Sequence, residues 1–125
     1  MKREKINLVF DKKHNVLLKP FFYEIGEEEE ITMMFLSGQC LQGFGYLKDE
    51  YIILPEIDVE GLTTEEDYFV KGDVLKLESL DKQMVICLTE SHYTLEELGF
   101  LNRPKVTELG NIFEKNELLK EITNF

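Results

Sequence analysis

Short apolar stretches, separated by polar or glycine-containing turns, run along the whole chain and predict a mainly β fold. The clearest is residues 74–78, in which apolar and polar residues alternate from Leu75 onwards. A period of two is typical of a strand that buries one face. Residues 84–88 are continuously apolar and are predicted to be a strand buried on both faces. Because Asp81 and Lys82 between them favour a turn, the two strands should form a hairpin.

The remaining extended segments lie on both sides of this hairpin and are bounded by turn-forming residues. They are predicted at residues 6–10, 16–18, 21–25, 51–54 and 106–113, the fourth preceded by a turn at residues 48–50 and ended by Pro55. The first two should pair as an amino-terminal hairpin, because Asp and Asn in residues 11–15 favour a turn. The last should bend or bulge at Gly110, since glycine weakens regular strand packing.

Between residues 27 and 45 the pattern is ambiguous. Residues 27–30 are consecutive glutamates, and such a row of like charges favours an exposed loop or an exposed helix start. Residues 31–36 are largely apolar, and periodicity does not separate strand from helix there. Residues 38–45 include Gly38, Gly43 and Gly45, which predict a loop-rich segment. Its Leu41 and Phe44 are expected to point inward.

Short helical segments are predicted at three places, namely residues 62–67, 94–99 and 116–122. Each begins near a side chain that can accept a backbone N–H, and these are Thr63 or Thr64, then Thr94, then Asn116. Glutamate three residues after Thr94 completes a capping box. Gly99 is suited to end the second segment.

The balance of charge argues against some classes of partner. The chain has 125 residues, a length that fits one domain, with 25 acidic and 14 basic side chains and a net charge of −11. Such a surface repels phosphate backbones and anionic lipids, so direct binding of nucleic acid or membranes is not expected. A basic protein partner is favoured instead. No run of apolar residues has the length of a membrane span or a signal peptide, so we expect a cytoplasmic protein.

No residue pattern points to catalysis, a cofactor or a metal ion. Cys40 and Cys87 lie far apart without metal-binding spacing and are predicted to be reduced, mostly buried thiols. A nucleophilic pair of His92 with either cysteine, assisted by Glu90, is an alternative that the spacing does not support. The acidic runs lack the spacing of a calcium loop. We therefore predict a protein without catalytic, cofactor-binding or metal-binding residues.

Several short motifs occur in a definite order along the chain. They are Arg3-Glu4 before Phe10-Asp11, then Glu60-Gly61-Leu62, then Lys71-Gly72-Asp73-Val74, and finally Gly110-Asn111-Ile112-Phe113 followed by Leu118-Leu119. In this order they resemble the phage and prophage family named after YopX. The resemblance covers both ends and the middle of the chain, but not residues 19–58. The sequence departs from the family's pattern at Leu8, Phe10 and Lys71, where the family usually has Arg, Trp and Glu. Any role of those three side chains is therefore in doubt.

The resemblance implies a mainly β fold with short helices, an amino-terminal hairpin region and an SH3-like roll or barrel in the carboxy-terminal part. That part is residues 59–125 of a single domain, residues 1–125. The resemblance also implies oligomers, and it carries over no activity. The motif residues are expected to have structural roles, and they are Asp11, Gly61, Gly72, Asp73, Gly110, Asn111, Leu118 and Leu119. Gly72-Asp73 is expected to form a turn, and the two leucines to cover an open end of the barrel.

Three functions are compatible with these features. The first, which we predict, is a non-catalytic protein-interaction module of a phage or prophage, acting in the host cytoplasm as a homo-oligomer. The second is an acidic inhibitor that mimics DNA and occupies a nucleic-acid-binding host protein, which predicts carboxylates in rows on one face. The third is a small enzyme, which requires a pocket with converging titratable groups.

Overall fold

The computed structural model describes residues 7–64 and 66–122. These residues contain eleven strands, so the mainly β prediction is confirmed. The strands are β1 (Asn7–Asp11), β2 (Val16–Leu18), β3 (Phe22–Ile25), β4 (Ile31–Ser37), β5 (Cys40–Tyr46), β6 (Tyr51–Glu60), β7 (Phe69–Val70), β8 (Asp73–Glu78), β9 (Gln83–Cys87), β10 (His92–Thr94) and β11 (Lys105–Asn111). Two short 3₁₀ helices are Lys48–Glu50 and Asn116–Lys120. Among the described residues the strands form several sheets and no closed barrel.

The chain divides into two compact units, an amino-terminal unit of Asn7–Leu54 and a carboxy-terminal unit from Pro55 onwards. In the amino-terminal unit, β1 and β2 pair antiparallel with Val9 opposite Leu18, which confirms the predicted hairpin. The buried core cluster of this unit consists of Val9, Ile31 and Met33. Partly buried tyrosines and other apolar side chains pack around it, so this small unit has a core of its own.

The glycine-containing segment 38–45 belongs to a strand and is not the predicted loop. β3, β4 and β5 form an antiparallel sheet with β4 in the centre, which also settles residues 31–36 as a strand. Glycine is accommodated at Gly43 because Met34 lies opposite it, with its Sδ 3.0 Å from where a Cβ would stand. Leu41, predicted to point inward, pairs with Leu36 on the outer side of the sheet and is 48% exposed, so that prediction is wrong. Phe44 pairs with the core residue Met33 and lies on the core side as predicted, although it is 49% exposed.

The carboxy-terminal unit contains the predicted hairpin of β8 and β9, which pair antiparallel with Leu75 opposite Ile86. β11 pairs antiparallel with β8, and the register shifts between Glu108 and Gly110, which confirms the predicted bulge. β6 pairs in parallel with β10 and antiparallel with β7, two short strands that the sequence did not predict. The core of the unit is made of Ile57, Val59, Leu62, Phe69, Leu75, Leu77, Met84, Ile86, Leu88 and Phe100.

None of the three predicted helical segments is an α-helix in the described part of the chain. Residues 62–67, of which residue 65 lies outside the described residues, form turns, bends and irregular backbone. Of residues 94–99, Thr94 ends β10 and residues 95–99 form a turn. The capping contact at Thr94 does exist, since a backbone N–H three residues on donates to its Oγ1 at 3.1 Å. The third segment is a 3₁₀ helix without a side-chain cap, so the cap predicted at Asn116 is wrong. Because the first helical turn is unfavourable to form, segments this short do not extend unaided. No helix described here has the length and apolar character to cross a membrane.

Candidate functional site

Motifs that are distant in the sequence meet in the carboxy-terminal unit, at a place that we call the motif junction. β8 and β11 pair with Asn111 opposite Asp73 and Gly110 opposite Val74. The buried Asn111 amide donates to the Asp73 Oδ1 at 2.9 Å and to the Lys71 carbonyl oxygen at 3.0 Å. One side chain therefore joins two motif segments that lie far apart in the chain.

Gly72 lies within this junction with a φ of +93°. A Cβ at this position would stand 2.7 Å from the Phe113 ring and 2.9 Å from the Asn111 Oδ1. The Gly72 N–H donates to the Leu88 carbonyl at 2.8 Å, and its own carbonyl accepts from the Ile112 N–H at 2.9 Å. The junction therefore leaves no room for a side chain at Gly72.

The other motif residues of this unit have different surroundings. Gly110 has a φ of +136°, and a Cβ there would stand 3.0 Å from the Leu118 side chain. Leu118 packs against a buried cluster that includes Val74, whereas Leu119 is largely exposed. Gly61, with a φ of +90°, lies in the turn after β6. The structure thus brings together Gly72, Asp73, Gly110, Asn111 and Leu118.

Asp73 and Glu108 form a pair of interacting carboxyl groups beside the junction. The Oδ2 of buried Asp73 accepts a hydrogen bond from the Val70 N–H at 2.9 Å. Burial raises the pKa of Asp73, although hydrogen bonds from Val70 and Asn111 act to lower it. Partial burial, followed by the charge of Asp73 and a hydrogen bond to it, raises the pKa of Glu108 to about 7. A proton retained near neutral pH lets the two carboxyl groups share a hydrogen bond.

Glu108 also lines a cleft of about 510 Å³ in the carboxy-terminal unit. The cleft has acidic, basic, aromatic and aliphatic walls, made by Leu62, Glu66, Asp67, Tyr68, Phe69, Arg103, Pro104, Lys105, Val106 and Glu108. A titratable group with a shifted pKa in a cleft is a feature that many enzymes share. Here, however, its partner Asp73 also accepts hydrogen bonds from the Val70 N–H and the Asn111 amide, which are groups of the fold.

The two cysteines differ in exposure. Cys40 is exposed, so the prediction that it is mostly buried is wrong. Cys87 is half-buried, with its Sγ 3.9 Å from the Gly72 carbonyl oxygen. Burial, and after it the charge of Asp73, raises the pKa of the Cys87 thiol. A thiol held protonated at neutral pH is a poor nucleophile, so this environment does not activate Cys87.

His92 contacts carboxylates of the neighbouring parallel strand. Its Nε2 lies 3.4 Å from an Asp58 oxygen and 3.6 Å from a Glu60 oxygen, and all three side chains are about half exposed or more. Within residues 7–64 and 66–122, no group of three or more His, Cys, Asp or Glu side chains is arranged to hold a metal ion. The histidine therefore forms surface ion pairs when it is protonated, of a kind that contributes little to stability.

In the amino-terminal unit, the motif residue Asp11 is a buried carboxylate at the start of the hairpin turn. Its Oδ2 accepts from the Tyr46 hydroxyl at 2.6 Å and lies 2.7 Å from the His14 Nδ1. Its Oδ1 accepts from the Lys13 N–H at 2.9 Å. Burial acts to raise the pKa of Asp11, but the hydrogen bonds from Tyr46 and His14 outweigh it and lower the pKa to about 2. Asp11 thus ties the turn of the first hairpin to the end of β5.

The sheet of β3, β4 and β5 has an exposed apolar side. Since side chains alternate along a strand, the side opposite the core residues Ile31 and Met33 carries a continuous set of apolar groups. This set, with the adjoining Phe21, is named the apolar face and consists of Phe21, Phe22, Met34, Leu36 and Leu41. Phe22 and Leu36 are 43% and 56% exposed, and the Phe21 and Phe22 rings are in edge contact at 5.9 Å.

β5 forms one edge of the same sheet. In the described part of the chain it pairs with β4 alone. Its seven residues, Cys40–Tyr46, include no charged side chain and no proline. Edge strands of natural proteins usually carry such residues because they block pairing with another strand. The absence of charged residues and proline from residues 40–46 is visible in the sequence. The glycines of this segment, however, predicted a loop, so the edge strand was not predicted.

An acidic turn, defined as Glu27–Glu30, connects β3 and β4 at one end of this sheet. The row of residues next to it is Ile25, Ile31 and Tyr46, so the Tyr46 end of β5 is the end near the turn. Glu27, Glu28 and Glu29 are exposed, whereas Glu30 is partly buried. Within the turn, Glu29 pairs with Lys48 at 2.8 Å.

Comparison with known proteins finds a likeness in fold. No family model and no curated protein matches the chain by sequence. The X-ray crystal structure of YopX from Bacillus subtilis matches with a TM-score of 0.58 over 90% of this chain and 96% of that chain, at 12% sequence identity. The resemblance expected from the motifs is therefore confirmed at the level of the fold.

Proposed function

We propose that this chain is a non-catalytic protein-interaction module whose partner is another protein that docks on the apolar face. The observation that carries the proposal is the exposure of Phe22 and Leu36 at 43% and 56% within one continuous apolar surface. Contiguous exposed apolar surface marks interaction sites in folded proteins. The net charge of −11 favours a partner whose own surface is basic.

Two variants of the full chain test this proposal. Phe22→Ala with Leu36→Ala removes apolar surface from the face, and Leu119→Ala removes a similarly exposed leucine elsewhere. Each protein is immobilised and exposed to a bacterial lysate at low and at high salt, and the retained partner is then purified for calorimetry. The double variant should bind this partner at least about tenfold more weakly, because a few well-packed, buried residues carry most of the energy of an interface. The Leu119→Ala protein should bind it as the wild type does.

Two results would overturn the proposal. The first is a purified partner that binds the double variant and the wild type equally well. The second is a lysate from which neither salt condition retains a specific protein. If the retained protein binds nucleic acids and its binding depends on salt but not on the apolar face, DNA mimicry replaces the docking proposal.

We also propose that the chain associates with itself. The supporting feature is a second cleft, of about 560 Å³, whose walls include the almost fully exposed Leu80 and Leu101. The same walls carry Asp81 and Arg103, charges of opposite sign that a second copy can complement across a two-fold axis. Sedimentation should show an oligomer at tens of micromolar, and Leu101→Lys should shift it to the monomer. A wild-type monomer at that concentration would refute this.

The carboxy-terminal unit is proposed to be an SH3-like roll, which the antiparallel arrangement of β8, β9 and β11 supports. A phage or prophage origin, and a place in the cytoplasm of the bacterial host, are supported by the order of the motifs and by the YopX-like fold. The genes on either side of the coding sequence provide the test of origin.

A further inference from the structure

We infer that the free edge of β5 binds an extended segment of the partner protein as an added strand, and that this segment carries Lys or Arg at the end beside the acidic turn. This inference rests on the proposed function, because it specifies how the partner that docks on the apolar face is recognised. The binding site is the edge of β5, and the ligand is an extended peptide segment with basic residues at one end.

The backbone of β5 supplies the first part of the argument. A seven-residue strand paired on one side within the described chain presents a row of N–H and C=O groups on its other side. Peptides add to such an edge through main-chain hydrogen bonds, and pockets beside the edge select every second side chain. A strand without charge or proline is the form of edge that permits this addition.

The side chains of β5 supply the second part. Leu41 points to the apolar face, and Gly43 and Gly45, on the same side of the strand, have no side chains. An added strand would therefore place alternate side chains next to the apolar face, above the glycines. Apolar residues at every second position of the partner segment fit this surface, because they bury area against Leu41 and Met34.

Charge supplies the third part and identifies the kind of partner. The acidic turn, which joins β3 and β4, lies at the end of the sheet at which β5 reaches Tyr46. Glu29 of this turn pairs with Lys48, so the exposed Glu27 and Glu28 are the carboxylates that attract a basic end of the added segment across the width of β5. A second copy of this chain does not meet the requirement, because Cys40–Tyr46 includes no Lys or Arg and each copy brings a net charge of −11. The complementary occupant is a foreign segment with basic residues at one end.

A displayed library of random linear peptides about ten residues long, long enough to pair along the whole of β5, is selected on the full-length protein. Enriched peptides should alternate apolar residues and carry Lys or Arg near one end. The Leu41→Lys protein should bind these peptides at least about tenfold more weakly than the wild type, because a lysine on an edge strand disfavours pairing with another strand. Their affinity should also fall severalfold on the double variant Glu27→Lys with Glu28→Lys, whose reversed charges repel the basic end. The matched control Leu119→Lys, a leucine of similar exposure in the other unit, should bind as the wild type does.

Synthetic peptides methylated on alternate backbone nitrogens separate strand addition from simple apolar docking. Successive N–H groups of a strand point to opposite sides, so one methylated set faces β5 and the other faces solvent. The peptides methylated on the N–H groups that face β5 should bind at least about tenfold more weakly, and the peptides methylated on the other N–H groups should keep their affinity. If both sets bind alike while the Leu36→Ala face variant still weakens binding, strand addition is overturned and apolar docking survives. Failure to enrich any peptide, or a wild-type dimer that Leu41→Lys dissociates, also overturns the inference.

Discussion

The paired carboxyl groups of Asp73 and Glu108 make stability depend on pH in a predictable direction. Glu108→Gln keeps the size of the side chain and its ability to hydrogen-bond Asp73 but removes the second ionisable group. At pH 8 Glu108 of the wild-type protein is largely ionised beside Asp73, whereas the variant has a neutral side chain there. The variant should therefore be the more stable protein at pH 8, and this advantage should disappear at pH 5.

The raised pKa of Glu108 sets the pH window and the size of the effect. The unfolded chain releases this proton around pH 4.5, whereas the folded protein retains it until about pH 7. As pH rises through this window the wild type loses stability, and above it the loss is complete. For a fully buried group the shift would correspond to about 3 kcal/mol. Because the Glu108 side chain is exposed in part, solvent screening reduces the expected effect to about 1 kcal/mol.

Urea unfolding followed by circular dichroism measures the effect, since the chain has no tryptophan to report by fluorescence. At pH 8, Glu108→Gln should raise the free energy of unfolding by about 1 kcal/mol, and at pH 5 by less than about 0.3 kcal/mol. Glu96→Gln removes the same charge from an exposed turn and should change stability equally little at both values. Equal effects of Glu108→Gln at pH 5 and pH 8 would refute the reasoning about the pair.

Three further substitutions test other contacts. Asn111→Ala removes hydrogen bonds at the motif junction and should cost about 2–3 kcal/mol in urea unfolding, and a loss below about 0.5 kcal/mol would contradict the role of this amide. Gly72→Ala should cost about 2 kcal/mol more than Gly38→Ala. Both glycines have positive φ, but a Cβ would meet other atoms at Gly72 and nothing within 4 Å at Gly38, so equal losses would contradict the packing. Tyr46→Phe removes a 2.6 Å hydrogen bond to Asp11 and should raise the pKa of the Asp11 carboxyl group by about one unit. NMR titration of the Asp11 carboxyl carbon measures this shift, and an unchanged pKa would contradict the role of the hydrogen bond.

The elements that the sequence predicts well are those whose local pattern and tertiary packing agree. β8 and β9 are short apolar runs around a polar turn, and they form the expected hairpin. The bulge at Gly110 is likewise predicted from a local feature, the glycine that weakens regular strand packing. In β5 the two sources of information conflict, because glycines lower strand propensity. Pairing with β4 and the packing of Met34 over Gly43 restore the strand, and neither can be read from β5 itself.

The candidate sites depend on the register in which strands pair, and the hydrophobic pattern of the sequence does not determine that register. The motifs indicate that Asp73 and Asn111 matter, but the bulged pairing of β8 with β11 is what places them opposite each other. The partnership of Asp73 with Glu108 depends on the same pairing. The apolar face likewise follows from which residues of β3, β4 and β5 share a side, and that assignment required β5 to be recognised as a strand.

The order of strands around β8 bears on how the protein folds and how long it stays folded. β9 follows β8 after a short turn, whereas β11 reaches β8 only after the chain has passed through β10. Closing the longer loop costs more chain entropy, so the local hairpin is favoured as the early structure and β11 as the late addition. Interactions absent from the folding transition state act mainly on the unfolding rate. The bond between Asn111 and Asp73 therefore controls the lifetime of the native state more than the speed at which that state is reached.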